Sequence, residues 1–230
     1  AVADGLLVAL ISRFLAGACL AGVYPPAMKM TSTWFRDRRG LAVGTIVGAL
    51  TVGKAGPYLL GAIPGISVRA IIGLSSASAA AAALLIWFRY RDGPHAFPSR
   101  PFAWTLVRDV VREPRWRLAT GGYLGHMTEL YSYWTWIPAF VAASIAVAPH
   151  ALTPAPSRIA SIVGFAIIAV GGAGCVWGGA VADRIGRERL VIIALSVSAI
   201  CCALVGLAFG RSRWILTPLA LGWGFFIIAD

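Results

Sequence analysis

The chain has 230 residues, of which 59% are hydrophobic and only 13% charged, and its mean hydropathy is +0.79. A soluble domain is roughly half apolar and about one quarter charged, so this composition belongs to a membrane protein rather than to a water-soluble domain. The formal net charge of +11 does not indicate a nucleic-acid binder, because the basic residues fall between apolar runs instead of gathering into one stripe.

Seven apolar runs approach the ~20 helical residues that cross a bilayer. In chain order they cover residues 5–30, 41–63, 66–88, 118–147, 159–181, 189–209 and 214–230. Spanning backbone must satisfy its own hydrogen bonds, and runs of this length without polar alternation read as helices, not barrel strands. The expected fold class is an all-α integral membrane protein. Ala1 opens the chain without a signal-peptide pattern and Asp230 closes it inside an apolar run. Both ends are expected to be cuts through a longer protein.

Arginine placement orients the bundle, since short basic loops stay on the cytoplasmic side. Thirteen arginines lie in the loops after the first, third and fifth spans, and four in the alternate loops. Three basic residues, Arg13, Lys29 and Lys54, fall within spans. Lys29 is near enough to its helix end to snorkel, whereas Arg13 and Lys54 are deeper. Residues 89–117 form a longer cytoplasmic stretch, with three prolines before Phe102 and then Trp104, Val107, Val110 and Val111 on a rough helical face. They read as an interdomain linker ending in a helix that lies on the membrane surface.

Charged groups at bilayer depth cost about 2.5–3.5 kcal/mol on insertion scales, so each is a candidate for function. In the fourth run, Gly122, His126, Glu129, Tyr133 and Trp136 or Ile137 recur at steps of three to four and share one helix face. A carboxyl group in apolar surroundings favours its neutral form and an imidazole titrates near neutrality, so His126 and Glu129 are candidates for taking up and releasing a proton. Tyr123 and Tyr133 are candidates for contacting a solute, while Trp134 and Trp136 read as markers of the headgroup belt. Asp230 is a further polar candidate at the end of the last run. The run Gly171, Gly172, Gly174, Gly178 and Gly179 reads as close helix packing. Four cysteines without a CxxC and three scattered histidines at 95, 126 and 150 suggest no metal site, no cofactor and no enzyme chemistry.

The loop "GGAVADRIGRERL", residues 178–190, carries Gly179, Asp183, Arg184, Gly186, Arg187 and Arg189. It closely resembles the signature loop of the major facilitator superfamily, G-x-x-x-D-R-x-G-R-[RK]. "SRFLAG", with Arg13 and Gly17, resembles the superfamily's R-x-x-x-G, and "TSTWFRDRRGLAVG" its following basic loop; "GPYLLG" at 56–61 is a partial match to an antiporter pattern. The resemblance implies a bundle of two six-helix halves, of which this chain holds the fourth to tenth helices. Residues 1–88 would close the first half, 89–117 join the halves, and 118–230 open the second. A faint repeat between the first and last spans, through Gly22/Gly224, Tyr24/Phe226 and Ala27/Ala229, agrees with that architecture.

In that family the signature loop is a conformational latch, a role implied here for Gly179, Asp183, Arg184, Gly186 and Arg187. Asp183 has two available partners, a neighbouring Arg or a facing helix N-terminus. The resemblance further implies a proton-coupled secondary transporter in a bacterial inner membrane that moves a small solute by alternating access. His126, Glu129, Arg13, Lys54 and Asp230 are the candidates for its cavity or its coupling, with Lys54 open between a solute counter-charge, an ion partner and a snorkelling residue, and Asp230 open to pairing with a basic residue across the bundle. Arg13 and Lys54 lean toward an anionic solute, whereas the partial match "GPYLLG" leans toward a drug or cationic solute exported against protons. The other partner expected is membrane lipid, with neither nucleic acid nor an obligate protein partner. A multi-helix membrane sensor without transport activity is the alternative.

Overall fold

A computed structural model describes residues 5–95, 103–147 and 156–229. Among them the regular structure is helical: α1 Leu6–Ala21, α2 Tyr24–Ser32, α3 Arg39–Gly61, α4 Val68–Arg89, α5 Trp104–Arg112, α6 Pro114–Val147, α7 Pro156–Ile185, α8 Arg187–Val205 and α9 Arg213–Phe226, with a 3-10 turn at Gly206–Ala208. Six stretches are long and apolar enough to cross a membrane: Leu6–Ser32, Arg39–Gly61, Val68–Arg89, Pro114–Val147, Arg158–Ile185 and Arg187–Ala208. Their bounds lie within a few residues of those expected. The seventh expected span is shorter: α9 holds 14 residues, about 21 Å of helix against a ~30 Å hydrocarbon core.

The first expected span is not one helix. It breaks at Gly22 and Val23, whose amides bond three residues back to Cys19 and Leu20. Pro25 and Pro26 follow and have no N–H to give to the preceding turn, so the α-helical ladder stops and restarts at Tyr24 with prolines in its first turn.

The core gathers around α7, which meets α3, α6, α8 and α9, with α3 its most extensive partner. Two glycine-bearing faces allow this. Gly172, Cys175 and Gly179 face the backbone of Gly48, Gly44 and Gly40 on α3, while Gly174 and Gly178 face Phe225 and Ala229 at the end of α9. In lipid there is no hydrophobic force between helices, so association depends on this close backbone packing. The most deeply buried large side chains, Ile167, Ile168, Leu216, Ile227 and Val141, lie on α7, α6 and α9 or its immediate end. By contrast, α1 and α4 bury no residue among the described set.

On the arginine-rich side, Thr33 ties two loops together. Its buried hydroxyl accepts the Gly93 N–H at 3.1 Å, and its carbonyl accepts the His95 N–H at 2.9 Å. Next to it the Tyr90 hydroxyl donates to Asp92 at 2.7 Å, a bond that raises the phenol above its ordinary pKa.

Candidate functional site

A cavity of about 1190 Å³ opens between α1–α3 on one side and α6–α8 on the other, with Ile228 and Ala229 completing its wall. Its position follows from α6, where Tyr123, His126, Leu130 and Trp134 recur at three- and four-residue steps and all reach it. Tyr24 and Tyr131 add aromatic surface, and Arg39 and Arg187 stand where α3 and α8 begin, on the arginine-rich side. No carboxylate is among the described residues that line it. The cavity is therefore aromatic and apolar in its body and cationic toward one end. Such a surface complements a small organic molecule with a negative group.

The polar stripe expected along α6 divides. His126 lines the cavity, its Nδ1 shielded from solvent. Glu129 turns toward α8, where the Ser198 hydroxyl donates to its Oε1 at 2.6 Å. Ser198 in turn accepts the Trp223 indole N–H of α9 at 3.0 Å. An indole nitrogen only donates, so the direction of this chain is set: Trp223 to Ser198 to Glu129. Glu129 is thus a half-buried acceptor inside the α6–α8–α9 packing, beside the cavity wall and not on it.

Tyr133 also leaves the expected cavity face. It is 3% exposed, its hydroxyl is shared between the carbonyls of Ala220 at 3.1 Å and Ile167 at 3.3 Å, and its ring meets Trp223 edge-on at 4.7 Å. It joins α6, α7 and α9. Tyr133→Phe is expected to lower stability by about 1 kcal/mol, the net value of one hydrogen bond, with solute affinity unchanged. A changed affinity at unchanged stability would place the hydroxyl in solute binding instead.

Trp134 corrects the headgroup-belt reading. It is 6% exposed and lines the cavity, with Lys54 Nζ 5.5 Å above its ring and its carbonyl accepting from the Tyr58 hydroxyl at 3.2 Å. Lys54 is not among the lining residues; it is exposed and stands as a cation over the Trp134 ring face. Trp136, two residues on, is 70% exposed. Arg13 lies exposed on α1, one turn before the lining residue Gly17, and is not itself among the lining residues. Asp230 lies outside the described residues.

The signature loop lies between α7 and α8. Asp183 accepts the backbone N–H groups of Gly40 and Leu41, each at 3.1 Å. Of the two partners open to it, the facing helix N-terminus is the one it holds. The helix α3 begins after Arg38, a non-glycine residue at φ 56, and has no side-chain cap of its own. Asp183 supplies that cap from 143 residues away. Gly179 permits the approach, since a Cβ there would strike the Gly40 backbone. Gly186, at φ +89, makes the turn into α8. Arg184 borders a smaller cavity with Arg38 and Asp183, and Arg187 belongs to the rim of the large one.

Sequence reasoning missed Ser198 and Trp223, because neither is charged and both are distant from Glu129 in the chain. It read Arg39 only as a loop charge and Arg187 only as part of the latch loop. Their approach to the cavity was signalled by their places at the starts of two helices. The Gly40, Gly44, Gly48 spacing of four was a visible sign of close packing.

The family model described as Major Facilitator Superfamily matches residues 1–229. No curated protein and no solved structure matches the chain. The chain belongs to the major facilitator superfamily and is an integral, multi-pass membrane protein of that transporter class.

Proposed function

We propose that this chain moves a small organic anion across a bacterial inner membrane by alternating access, coupled to protons. The observation that carries the reading is the cavity between α1–α3 and α6–α8, with Arg39, Arg187 and His126 on its surface and no carboxylate among its described lining. In this reading residues 1–88 and 118–230 are parts of two halves that rock about the cavity, with 89–117 joining them. The anionic preference rests on Arg39 and Arg187 in place of Arg13 and Lys54. The aromatic groups Tyr24, Tyr123 and Trp134 give the solute's apolar body a surface to stack on.

Proton coupling is assigned to Glu129 and His126, which lie one helical turn apart on α6 but face different neighbours. Glu129 accepts from Ser198, and that hydroxyl is held by Trp223. Any rearrangement of α8 or α9 against α6 makes or breaks this hydrogen-bonded chain, and that is the link between helix movement and the Glu129 carboxyl group on which the reading rests. His126 stands on the cavity side, where it meets solute and water.

Uptake by the full-length protein in proteoliposomes tests this, using matched panels of organic anions and cations with and without an imposed pH gradient. The expected result is anion uptake accelerated by the gradient. Glu129→Gln is expected to keep solute counterflow and lose that acceleration entirely. Arg187→Gln is expected to raise KM several-fold, with kcat little changed. Uptake confined to cations would sink the anion assignment, and gradient-driven uptake that survives Glu129→Gln would remove Glu129 from the coupling.

A further inference from the structure

The stretch 89–117 was expected to end in a helix on the membrane surface, and α5 is helical across Trp104–Arg112. A nine-residue helix is marginal in water by itself, because nucleation is costly and few hydrogen bonds repay it. Every residue of α5 is exposed, Trp104 to 78%, and its main helix contact is with the start of α6, which follows after a single residue.

Steps of about 100° per residue place Leu106, Val110, Val107, Val111 and Trp104 in one continuous arc. Arg108 and Arg112, one turn apart, occupy the opposite side together with Asp109, and Glu113 follows the helix. The apolar arc is too exposed to stabilise a helix in water, yet Pro114 begins a membrane-crossing helix immediately afterwards. That connection places α5 beside the end of a candidate span, on the arginine-rich side. Arg115 and Arg117 continue the positive charge past it.

We propose that α5 is an interfacial lipid-binding helix, its Trp104–Val107–Val111 side sunk among acyl chains and Arg108 and Arg112 engaging the headgroups of anionic phospholipids. The occupant is the protein's own membrane, for two reasons. The helix is continuous with an established span, and a pair of arginines beside an apolar arc complements an anionic, amphipathic surface. A tryptophan at the edge of that arc suits the headgroup boundary. This lipid contact is independent of which solute the cavity carries.

Hydrogen–deuterium exchange of residues 103–113 tests it, with the full-length protein in nanodiscs of phosphatidylcholine alone or of phosphatidylcholine with phosphatidylglycerol. The α5 amides are expected to exchange more slowly in the anionic discs. Arg108→Gln with Arg112→Gln is expected to erase that difference, at roughly fivefold per arginine lost. Trp104→Ser is expected to speed exchange in both lipids. Equal exchange in both lipids would overturn headgroup recognition. Protection unaffected by Trp104→Ser, or a difference between the two lipids that persists in the double arginine variant, would overturn the proposal.

Discussion

Gly44→Val is expected to prevent the full-length protein from reaching a stable, monodisperse state in mild detergent, whereas Gly53→Ala on the same helix leaves it intact. A Cβ on Gly44 falls against the Cys175 carbonyl oxygen of α7, well inside van der Waals contact, and one on Gly53 meets nothing within 4 Å. Gly40, Gly44 and Gly48 form one ridge on α3 and oppose Gly179, Cys175 and Gly172. The obstructing atoms are backbone on both sides, so no rotamer change relieves the clash. The helices must separate along several turns. Overpacking of an ordinary core costs about 1–3 kcal/mol. Here the lost contacts between α3 and α7 are themselves the force that associates the helices in lipid, so the cost exceeds that range. Gly53→Ala should be neutral or slightly stabilising, since alanine is the better helix former by about 0.5–1 kcal/mol. Wild-type thermal unfolding of Gly44→Val would refute the close approach of these two helices.

How much of this was legible in the sequence depended on whether the information was local. Span positions were read closely because a bilayer imposes one length on every apolar helix. The division of the first span escaped that reading, because hydropathy does not register the missing N–H groups of Pro25 and Pro26. The role of Asp183 was legible as a choice between two partners, since a loop motif is compact in sequence; only packing chose the N-terminus of α3. The polar stripe of α6 shows the limit most clearly. His126, Glu129 and Tyr133 lie within a narrow arc of the helix, and periodicity assigns them one face. Yet that face straddles the boundary between the cavity and α8–α9, and residues far along the chain, Ser198 and Trp223, decide on which side Glu129 falls. The same limit applied to Trp134. A tryptophan near the outer half of a span reads as a belt residue until Lys54 and Tyr58, from another helix, are found against it.

Asp183→Ala should loosen the seam between α3 and α7 on the arginine-rich side without unfolding the bundle. Its carboxylate accepts two of the first-turn N–H groups of α3, a helix that begins at a left-handed Arg38 and has no local cap. Losing an N-cap costs about 0.5–2 kcal/mol, and the negative charge at the positive end of the helix adds a few tenths more. Asp183 is exposed, so solvent screens that electrostatic part, and about 1–2 kcal/mol is the expected total. That is about a tenfold shift in any equilibrium between joined and parted helix ends. Cys175 reports on it, being buried on this seam and on the cavity wall. With every other cysteine of the full-length protein replaced by serine, Cys19, Cys201 and Cys202 among them, maleimide should label Cys175 about tenfold faster in Asp183→Ala than in the parent. Asp183→Asn narrows the cause, since it keeps one acceptor oxygen of the two and drops the charge. A rate near the parent's assigns the tie to a single hydrogen bond, and a rate near the alanine variant's assigns it to the charge together with the second hydrogen bond. An Asp183→Ala protein with parental labelling and parental thermal unfolding would show that α3 and α7 are held by their glycine packing alone, and that the loop at 178–190 latches nothing at this seam.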